Sequence, residues 1–295
     1  MVEYVLGIDG GGSGTRAWLA RVAGALLGRG DAGPSALGQG VAQAWRNVEL
    51  SARAAFEDAD VAWPGWHTCA AVCALSGVSN PPWREAFLAA DPGLALLDAE
   101  TDSFAMLVGA LGGKPGAIVA AGTGSIGEVL RPDGTRSTVG GWGFPVGDEG
   151  SGAWLGLQAV RHAQAALDGR ERAGPLAQSI WKQCGATRDA LQAWCDGAGQ
   201  FAYAQLAPAV FEYEPVDPTA QRFVREALAA LEAIAHALDP HGRLPVAFAG
   251  SIAHRLAPRV GPALKRRVVE PAEGPAAGAL ALARRLVLQE TETTH

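Results

Sequence analysis

The sequence predicts an α/β fold in which one structural unit occurs twice, with a cleft between the two lobes. A strand, a glycine-rich turn and a second strand open the chain, and the same pattern begins again at Gly116. In both places a third strand follows, and helices then alternate with strands. The length of 295 residues also exceeds what one hydrophobic core usually supports.

The first copy begins with strands in EYVLGID, TRAWLARV and ALLGRG. Because tight turns join them, they must be antiparallel neighbours. A helix is predicted from about Gly40 to Val61, where apolar residues recur every three or four positions. The strand HTCAAVCALSG, a helix opened by Pro81 and Pro82, the strand LALLDAE and the helix SFAMLVGAL follow.

The second copy has two strands in AIVAAGTGSIGEVL, a Pro-Asp-Gly turn and a third strand in RSTVGG. A helical region from about Glu149 to Leu238 is interrupted by Gly and Pro. The strand PVAFAG then leads into a helix from near Ala253, and the short strand RRVVE precedes a last helix from about Pro275 to Leu288.

These elements predict two lobes. We expect the first to span residues 1–113 and to be completed by a C-terminal helix at 274–290. The second is expected at 114–273, with a helical insertion at about 150–240.

The composition favours a globular protein with small-molecule partners. Hydrophobic residues make up 48% and charged residues 18% of the chain, and the net charge is −6. A nucleic acid or an anionic membrane requires a basic surface, so we expect neither as a partner. The chain also has no long apolar run and begins Met-Val-Glu-Tyr, from which we expect a cytoplasmic protein.

The four cysteines are expected to be reduced thiols, as is usual in the cytoplasm. A Cys-x3-Cys pair could hold a metal or an iron–sulfur cluster, but here it lies in the apolar run HTCAAVCALSG, which is typical of a buried strand. The cysteines are Cys69, Cys73, Cys184 and Cys195.

The stretch IDGGGSGT is a candidate phosphate-binding turn. Asp9 ends a predicted buried strand, where an uncompensated carboxylate is costly, and a hydrated magnesium ion would relieve that cost. The alternative is a simple Asp-Gly hairpin turn, but Gly10, Gly11 and Gly12 exceed what a hairpin needs. Glycine amides with positive φ form concavities that suit a phosphate group.

Two later turns could bind the rest of a nucleotide. AAGTGSIG places Thr123 and Gly124 where the second copy repeats the first turn. In VAFAGSIAHRL, Gly250 and Ser251 offer small residues and free amides where an adenosine could lie, although ordinary strand-to-helix turns have the same composition.

Asp102, in AETDSFAMLVGAL, is the candidate catalytic base. It follows a strand and begins a helix, so it could simply cap that helix. Ligands nevertheless gather at strand ends in open α/β sheets, and a carboxylate there can accept a hydroxyl proton during phosphoryl transfer.

The stretch GGWGFPVGDEGSG is the candidate sugar-binding loop. Its glycines let the backbone come close to a ligand. Asp148 and Glu149 supply carboxylates, which accept hydrogen bonds from hydroxyl groups. The alternative is that Glu149 only serves the following helix N-terminus, and the two roles are compatible.

In this order, GIDGGGSGTR, TDSF, GTGS, GGWG…GDEGSG and AGS resemble the N-acetylglucosamine and glucosamine kinases of the BadF-type ATPase family. GGWG…GDEGS is the most specific of these motifs. The resemblance covers nearly the whole chain and implies the duplicated RNase-H-like fold of the actin-like ATPases, with ATP and Mg²⁺ as cofactors. It also implies a homodimer.

The resemblance implies which residues bind ATP. Asp9 would lie near magnesium, and Gly250 and Ser251 near adenosine. The residues implied at the phosphates are Gly10, Gly11, Gly12, Ser13, Thr15, Thr123 and Gly124.

The resemblance also implies the sugar-binding residues, with Asp102 as the base. Ser35 lies in GPSALGQG and Ser76 and Gly77 lie in ALSG, which resemble the family's sugar-side turns. The remaining residues implied at the sugar are Gly141, Trp142, Asp148 and Glu149.

Two positions depart from the family pattern. The first turn has Gly-Gly-Gly-Ser-Gly-Thr instead of Gly-Gly-Gly-Thr-Lys-Thr, so Ser13 or Thr15 must replace the lysine at the phosphate. Leu37 stands where the family's sugar loop commonly has Asn, which favours free glucosamine over the N-acetylated sugar.

These observations predict an ATP-dependent kinase acting on the 6-hydroxyl of glucosamine or N-acetylglucosamine. Two other functions stay open from the sequence. One is an ATPase that activates a partner dehydratase through a shared iron–sulfur cluster, which requires exposed cysteines. The other is a non-catalytic sugar-binding module.

Overall fold

The computed structural model describes residues 2–293 and divides into two compact units. The first unit contains the described residues up to Lys114 and those from Glu270 onward. The second unit is Pro115–Val269.

The strands follow the predicted order. They are β1 (Tyr4–Gly10), β2 (Thr15–Arg21), β3 (Leu26–Ala32), β4 (Cys69–Leu75), β5 (Leu96–Glu100), β6 (Gly116–Ala121), β7 (Ser125–Leu130), β8 (Arg136–Gly140), β9 (Val246–Ala249) and β10 (Val268–Val269).

The helices alternate with the strands, and six of them form the predicted insertion before β9. They are α1 (Val41–Asp58), α2 (Pro81–Ala89), α3 (Asp102–Leu111), α4 (Gly152–Leu167), α5 (Pro175–Cys184), α6 (Arg188–Gly197), α7 (Gln200–Ala204), α8 (Ala207–Tyr213), α9 (Pro218–Leu238), α10 (Ser251–Leu256), α11 (Pro262–Lys265) and α12 (Pro275–Thr293).

The two units contain the same sheet. In the first the strand order is β3-β2-β1-β4-β5, and in the second it is β8-β7-β6-β9-β10. The first strand of each copy pairs antiparallel with its hairpin partner and parallel with the strand that returns after a helix. This equivalence confirms the predicted duplicated α/β fold.

Both faces of the first sheet are covered. Leu6 and Ile8 of β1 pack in a cluster with α1, whereas Val5 packs with Leu280 of α12. Because neighbouring side chains on a strand alternate between faces, burial of both faces produces the continuous apolar runs seen in the sequence. At Gly7 an added Cβ would lie 2.1 Å from the Leu280 amide nitrogen, so this position requires glycine for α12 to approach the sheet.

The second sheet supports the helical insertion through one large apolar cluster. Val119 of β6, Leu155 of α4 and Leu231 of α9 are all buried in it. The insertion therefore packs against its own sheet.

Several element ends differ from the prediction. α1 ends at Asp58 because Ala59 takes the C-cap position, and α12 continues to Thr293. α10 begins at Ser251 because Gly250, with φ +89°, is its N-cap. β10 has only two residues.

The cysteines within the described chain are free thiols. Cys69, Cys73 and Cys184 are buried, and Cys195 is half-buried. Burial raises the pKa of the Cys69 and Cys184 thiols to about 11, which makes them poor metal ligands and nucleophiles.

Within residues 2–293, no helix is long and apolar enough to cross a membrane.

Candidate active site

The turn after β1 presents unpaired backbone donors. The Gly11 amide donates to the Gly14 carbonyl at 3.0 Å, and the Ser35 amide donates to the Gly11 carbonyl at 3.1 Å. Within residues 2–293, the amides of Gly12 and Ser13 have no hydrogen-bond partner. These amides are available to an anion.

Gly10 is required at the start of this turn. A Cβ there would lie 1.9 Å from Ser35 Oγ and 2.6 Å from a Leu75 methyl group. The Ser76 amide donates to the Gly10 carbonyl at 2.9 Å, and the Ser76 carbonyl accepts from the Leu37 amide at 2.9 Å. The predicted phosphate turn and the predicted sugar-side turn at Ser76 are therefore joined at one end of the first sheet.

Asp9 is an uncompensated acid at the end of β1. Burial and, to a smaller extent, the negative charge of Asp102 raise the pKa of Asp9 from 3.8 to about 6. The positive charge of Arg16 lowers this pKa but does not offset the rise. A divalent cation would remove the cost of keeping this carboxylate ionised. The predicted magnesium ligand and the predicted base thus lie close enough to interact.

Asp102 does not cap α3. The N-cap is Thr101, whose Oγ1 accepts from the Phe104 amide at 3.3 Å, and Asp102 is the first residue of the helix. The Asp102 carboxylate accepts a hydrogen bond from the Ser103 amide at 2.9 Å, and burial raises its pKa. The prediction that Asp102 caps the helix is therefore wrong, because the Thr101 hydroxyl is the N-cap.

Two predicted ligands in the first unit are buried. Thr15, 1% exposed, places Oγ1 2.6 Å from the Gly33 carbonyl oxygen and 2.7 Å from Ser35 Oγ. Ser35 is fully buried. Ser13, in contrast, is exposed. Among the predicted hydroxyls of this turn, Ser13 is the accessible one.

In the second unit, the turn after β6 is attached to the N-terminus of α4. The Gly152 amide donates to the Gly122 carbonyl at 2.8 Å, and the Ala153 amide donates to the Thr123 carbonyl at 3.1 Å. The Gly122 amide closes the turn on the Gly124 carbonyl at 3.0 Å. Thr123 itself is exposed.

Asp148 joins this turn to the helical insertion. One carboxylate oxygen accepts from the Ser125 amide at 3.1 Å, and the other accepts from Gln200 Nε2 at 2.7 Å. The residue is 4% exposed, and burial raises its pKa despite these two hydrogen bonds. A Cβ at Gly124 would lie 2.9 Å from the Asp148 carboxylate, so glycine is needed for this approach.

The other predicted sugar-binding residues of this unit are exposed. Trp142 is 83% exposed, and Gly141 and Glu149 are also exposed. Glu149 is held through its backbone, because its carbonyl accepts from Ser125 Oγ at 2.8 Å.

A cavity of about 290 Å³ lies beside the second turn. Thr123 and Ser251, predicted at the phosphates and at adenosine, both line it. Gly250 permits this arrangement, since a Cβ there would lie 2.5 Å from the Ala121 carbonyl oxygen.

Part of the lining of this cavity comes from the insertion and from α10 and was not predicted. The Arg255 guanidinium of α10 lies 4.3 Å from the centre of the Phe211 ring, and Gln205 and Pro208 also line the space. Only the folded chain brings these residues to the glycine turn, and their spacing in the sequence does not indicate it.

The acidic residues near the first turn bear on the predicted magnesium site. In the described part of the chain, no three His, Cys, Asp or Glu residues are grouped as a metal site. A magnesium ion bound through one or two carboxylates plus phosphate and water needs no such group, so Asp9 fits this mode.

The chain has a duplicated five-stranded sheet with a glycine turn after the first strand of each copy, and it shares this fold with solved sugar kinase structures. The BadF/BadG/BcrA/BcrD ATPase family model matches residues 6–283. The chain belongs to this family, which confirms the resemblance stated above.

Individual relatives agree with this assignment. The chain is 30% identical over 283 residues to glucosamine kinase GspK of Vibrio cholerae, covering 96% of each protein. It is 43% identical, with a TM-score of 0.91, to a structure assigned as an N-acetylglucosamine kinase from Chromobacterium violaceum, covering 96% of this chain and 99% of that one.

A more distant structure shares the fold alone. It is a ROK family glucokinase from Streptomyces griseus in complex with glucose and AMPPNP, with 14% identity and a TM-score of 0.52. The alignment covers 97% of this chain and 99% of the glucokinase.

Proposed function

We propose that this protein is an ATP-dependent amino-sugar kinase that transfers the γ-phosphate of ATP to the 6-hydroxyl of glucosamine or N-acetylglucosamine. Family membership and the 30% identity to a glucosamine kinase support the class of reaction. The observation that carries the proposal is the placement of Asp102, which begins α3 beside Asp9 with its capping role taken by Thr101.

In the proposed mechanism, the Asp102 carboxylate orients the sugar hydroxyl and accepts its proton late in the reaction. The hydroxyl oxygen forms a bond to the γ-phosphorus as the bond from that phosphorus to the β–γ bridging oxygen breaks, and ADP leaves. The raised pKa of Asp102 makes the carboxylate a stronger base than an exposed aspartate.

The phosphate groups are assigned to the two glycine turns. The free amides of Gly12 and Ser13 and the Ser13 hydroxyl would bind phosphate in the first unit, with Gly10 and Gly11 shaping the turn. Thr123 and Gly124 would bind phosphate in the second. When bound through Asp9, magnesium would neutralise charge on the phosphates.

Thr15 is assigned a supporting role. Its hydroxyl contacts the Gly33 carbonyl and Ser35, so it would hold the turn in shape while Ser13 contacts phosphate. Adenosine is assigned to the cavity lined by Ser251, with Gly250 beside it.

The sugar is assigned to Asp102, Glu149 and Trp142, with backbone from Gly77 and Gly141. The exposed Glu149 carboxylate can accept hydrogen bonds from sugar hydroxyl groups. Ser35 and Ser76 would position these groups, because the Ser35 hydroxyl already has a partner within its own unit. Asp148 would instead hold the turn at Ser125, because both of its carboxylate oxygens already have partners there and on Gln200.

Free glucosamine is the preferred substrate in this proposal. Leu37 stands where the family commonly has Asn, and it is 2% exposed within the apolar core. Its side chain therefore offers no hydrogen bond to an N-acetyl group.

The dehydratase-activator alternative receives no support from the cysteines. Three of the four are buried, and Cys73, Cys69 and Cys184 have pKa values raised by burial.

Reduced thiols agree with a cytoplasmic location, which we retain as a proposal together with a homodimer. Gel filtration with light scattering tests the dimer.

The test is a coupled ADP-release assay with glucosamine, N-acetylglucosamine, N-acetylmannosamine and glucose. We expect the highest kcat/KM with glucosamine. Sugar binding without ADP production would instead support the binding-module alternative.

The matched variants are Asp102→Asn and, as a control, the exposed Asp60→Asn. Loss of the base should lower kcat by about 10²- to 10⁴-fold with sugar affinity nearly unchanged. Asp60 has φ +53°, a conformation that Asn tolerates, so its variant should keep wild-type activity. Near-normal turnover in Asp102→Asn would remove the base from the mechanism.

A further inference from the structure

A second cavity in Pro115–Val269 is lined mainly by charged and polar side chains. It has a volume of about 300 Å³ and lies between α4, the segment after α4, and α9. The charged and imidazole side chains that line it are Arg161, His162, Arg170, Glu171 and Arg222. None of these residues belongs to the proposed active site.

The cavity has more positive than negative charge. Arg170 is paired with Asp168 at 2.9 Å, and the Glu171 carboxylate lies 2.5 Å from His162 Nδ1, which offsets the carboxylate charge only when the imidazole is protonated. In the described part of the chain, Arg161 and Arg222 form no ion pair. Both guanidinium groups belong to exposed side chains, and that of Arg222 also lies 5.0 Å from the centre of the Phe223 ring.

His162 supplies an independent sign of a missing ligand. Its side chain is 2% exposed, and Nδ1 lies 2.5 Å from Glu171 Oε2. Among the described residues, its Nε2 is buried and has no hydrogen-bond partner. A buried polar atom without a partner is unfavourable, so a ligand that satisfies it gains affinity.

We infer that this cavity binds a small phosphate-bearing molecule at a site separate from the proposed kinase site. Arg161 and Arg222 would bind the phosphate, for which planar guanidinium groups are suited. In the tautomer that donates Nδ1–H to Glu171, Nε2 is a hydrogen-bond acceptor, so a hydroxyl on the same ligand would satisfy it. A phosphorylated polyol combines both groups.

The position of the cavity connects it to the nucleotide turn through one helix. Gly152, at the N-terminus of α4, donates to the Gly122 carbonyl, whereas Arg161 and His162 lie in the C-terminal half of the same helix. The distance from Gly152 to Arg161 along the axis is about 14 Å at the rise of an α-helix.

The experiment is isothermal titration calorimetry of the full chain with inorganic phosphate, glucosamine 6-phosphate and unphosphorylated glucosamine. The test variant is Arg161→Gln/Arg222→Gln. The control is Arg225→Gln, an exposed arginine on α9 that does not line the cavity. Turnover in phosphate-free buffer checks that each protein is folded and should be the same in all three.

We expect the wild type and Arg225→Gln to bind a phosphate-bearing probe equally, and the double variant to lose that binding component or to bind at least tenfold more weakly. Tighter binding of glucosamine 6-phosphate assigns the cavity to a phosphorylated polyol, and tighter binding of inorganic phosphate assigns it to the free ion. Equal binding by the wild type and the double variant would overturn the inference, whether or not the kinase assay succeeds.

Discussion

At the end of β1, Asp9 has a carboxyl group whose pKa is raised to about 6, chiefly by burial and then by the charge of Asp102. Asp102 has its own raised pKa because it is buried while Thr101 caps the helix. The first unit therefore keeps two acids in a costly environment, as is common where a cation and a reacting hydroxyl are bound.

The cost at Asp9 predicts a stability change with a defined pH dependence. The folded protein binds the Asp9 proton more tightly than the unfolded chain does, so wild-type stability falls as pH rises from about 4 to about 6. Asp9→Asn removes this loss. In metal-free buffer at pH 8 it should be more stable than the wild type by up to about 3 kcal/mol, and it should be inactive.

Urea unfolding at pH 4, 6 and 8 measures this effect. The stability advantage of Asp9→Asn should be smallest at pH 4 and should level off above about pH 6. An Asp9→Asn protein less stable than the wild type at pH 8 would contradict the proposed cost of burial.

Substitutions of the two acids in GDEGSG, Asp148 and Glu149, should affect the KM values of different substrates. Asp148 holds Ser125 and Gln200, so Asp148→Ala should displace the nucleotide turn and raise the KM for ATP by about tenfold or more. Glu149→Gln should instead raise the KM for the sugar. Steady-state kinetics with each substrate varied in turn tests both, and a sugar-only effect of Asp148→Ala would assign it to the sugar.

At the scale of elements, α12 covers one face of the first sheet although it comes from the far end of the chain. Gly7 and Gly278 allow this packing, because a Cβ at Gly278 would lie 1.8 Å from the Ala105 carbonyl oxygen. The contacts of α12 with α3, β1 and β4 thus depend on two small residues far apart in sequence.

Gly7→Ala should lower the free energy of unfolding by at least about 1–3 kcal/mol, since the added methyl group collides with backbone of α12. The control is Gly24→Ala, where the closest atom to the added Cβ is 3.7 Å away. Thermal and urea unfolding of the two variants gives the comparison. Equal stability would mean that α12 does not pack closely against β1.

The helical insertion and α10 supply the unpredicted lining of the cavity to which adenosine is assigned. If Arg255 stacks on Phe211 beside the adenosine, Arg255→Ala should raise the KM for ATP roughly tenfold and leave the KM for the sugar unchanged. The exposed Arg172→Ala serves as the control. An unchanged KM for ATP would remove Arg255 from the nucleotide site.

For the whole molecule, the order of strands and helices could be predicted because both sheets are covered by helices. Burial of both faces makes β4 and β6 continuous apolar runs, and glycine turns mark their ends. The two glycine turns and the acids Asp9 and Asp102 followed from the same pattern.

The cap of α3 and the lining of the cavity in the second unit could not be predicted, because they depend on contacts between residues that sequence patterns do not indicate. Thr101 and Asp102 are both good capping residues, and only the folded helix shows which one caps. The fold places Phe211 of α8 next to Arg255 of α10, and no local signal in the sequence predicts that pair. Family membership and the named relatives support an amino-sugar kinase reaction but do not identify the preferred sugar.

The most direct test of the central claim is ³¹P NMR of the product formed from ATP and glucosamine. We expect a new phosphomonoester signal coupled to the protons on C6, formed by the wild type and absent with Asp102→Asn over the same time. ATP consumption that yields only inorganic phosphate, or a phosphate attached at another carbon, would contradict the account.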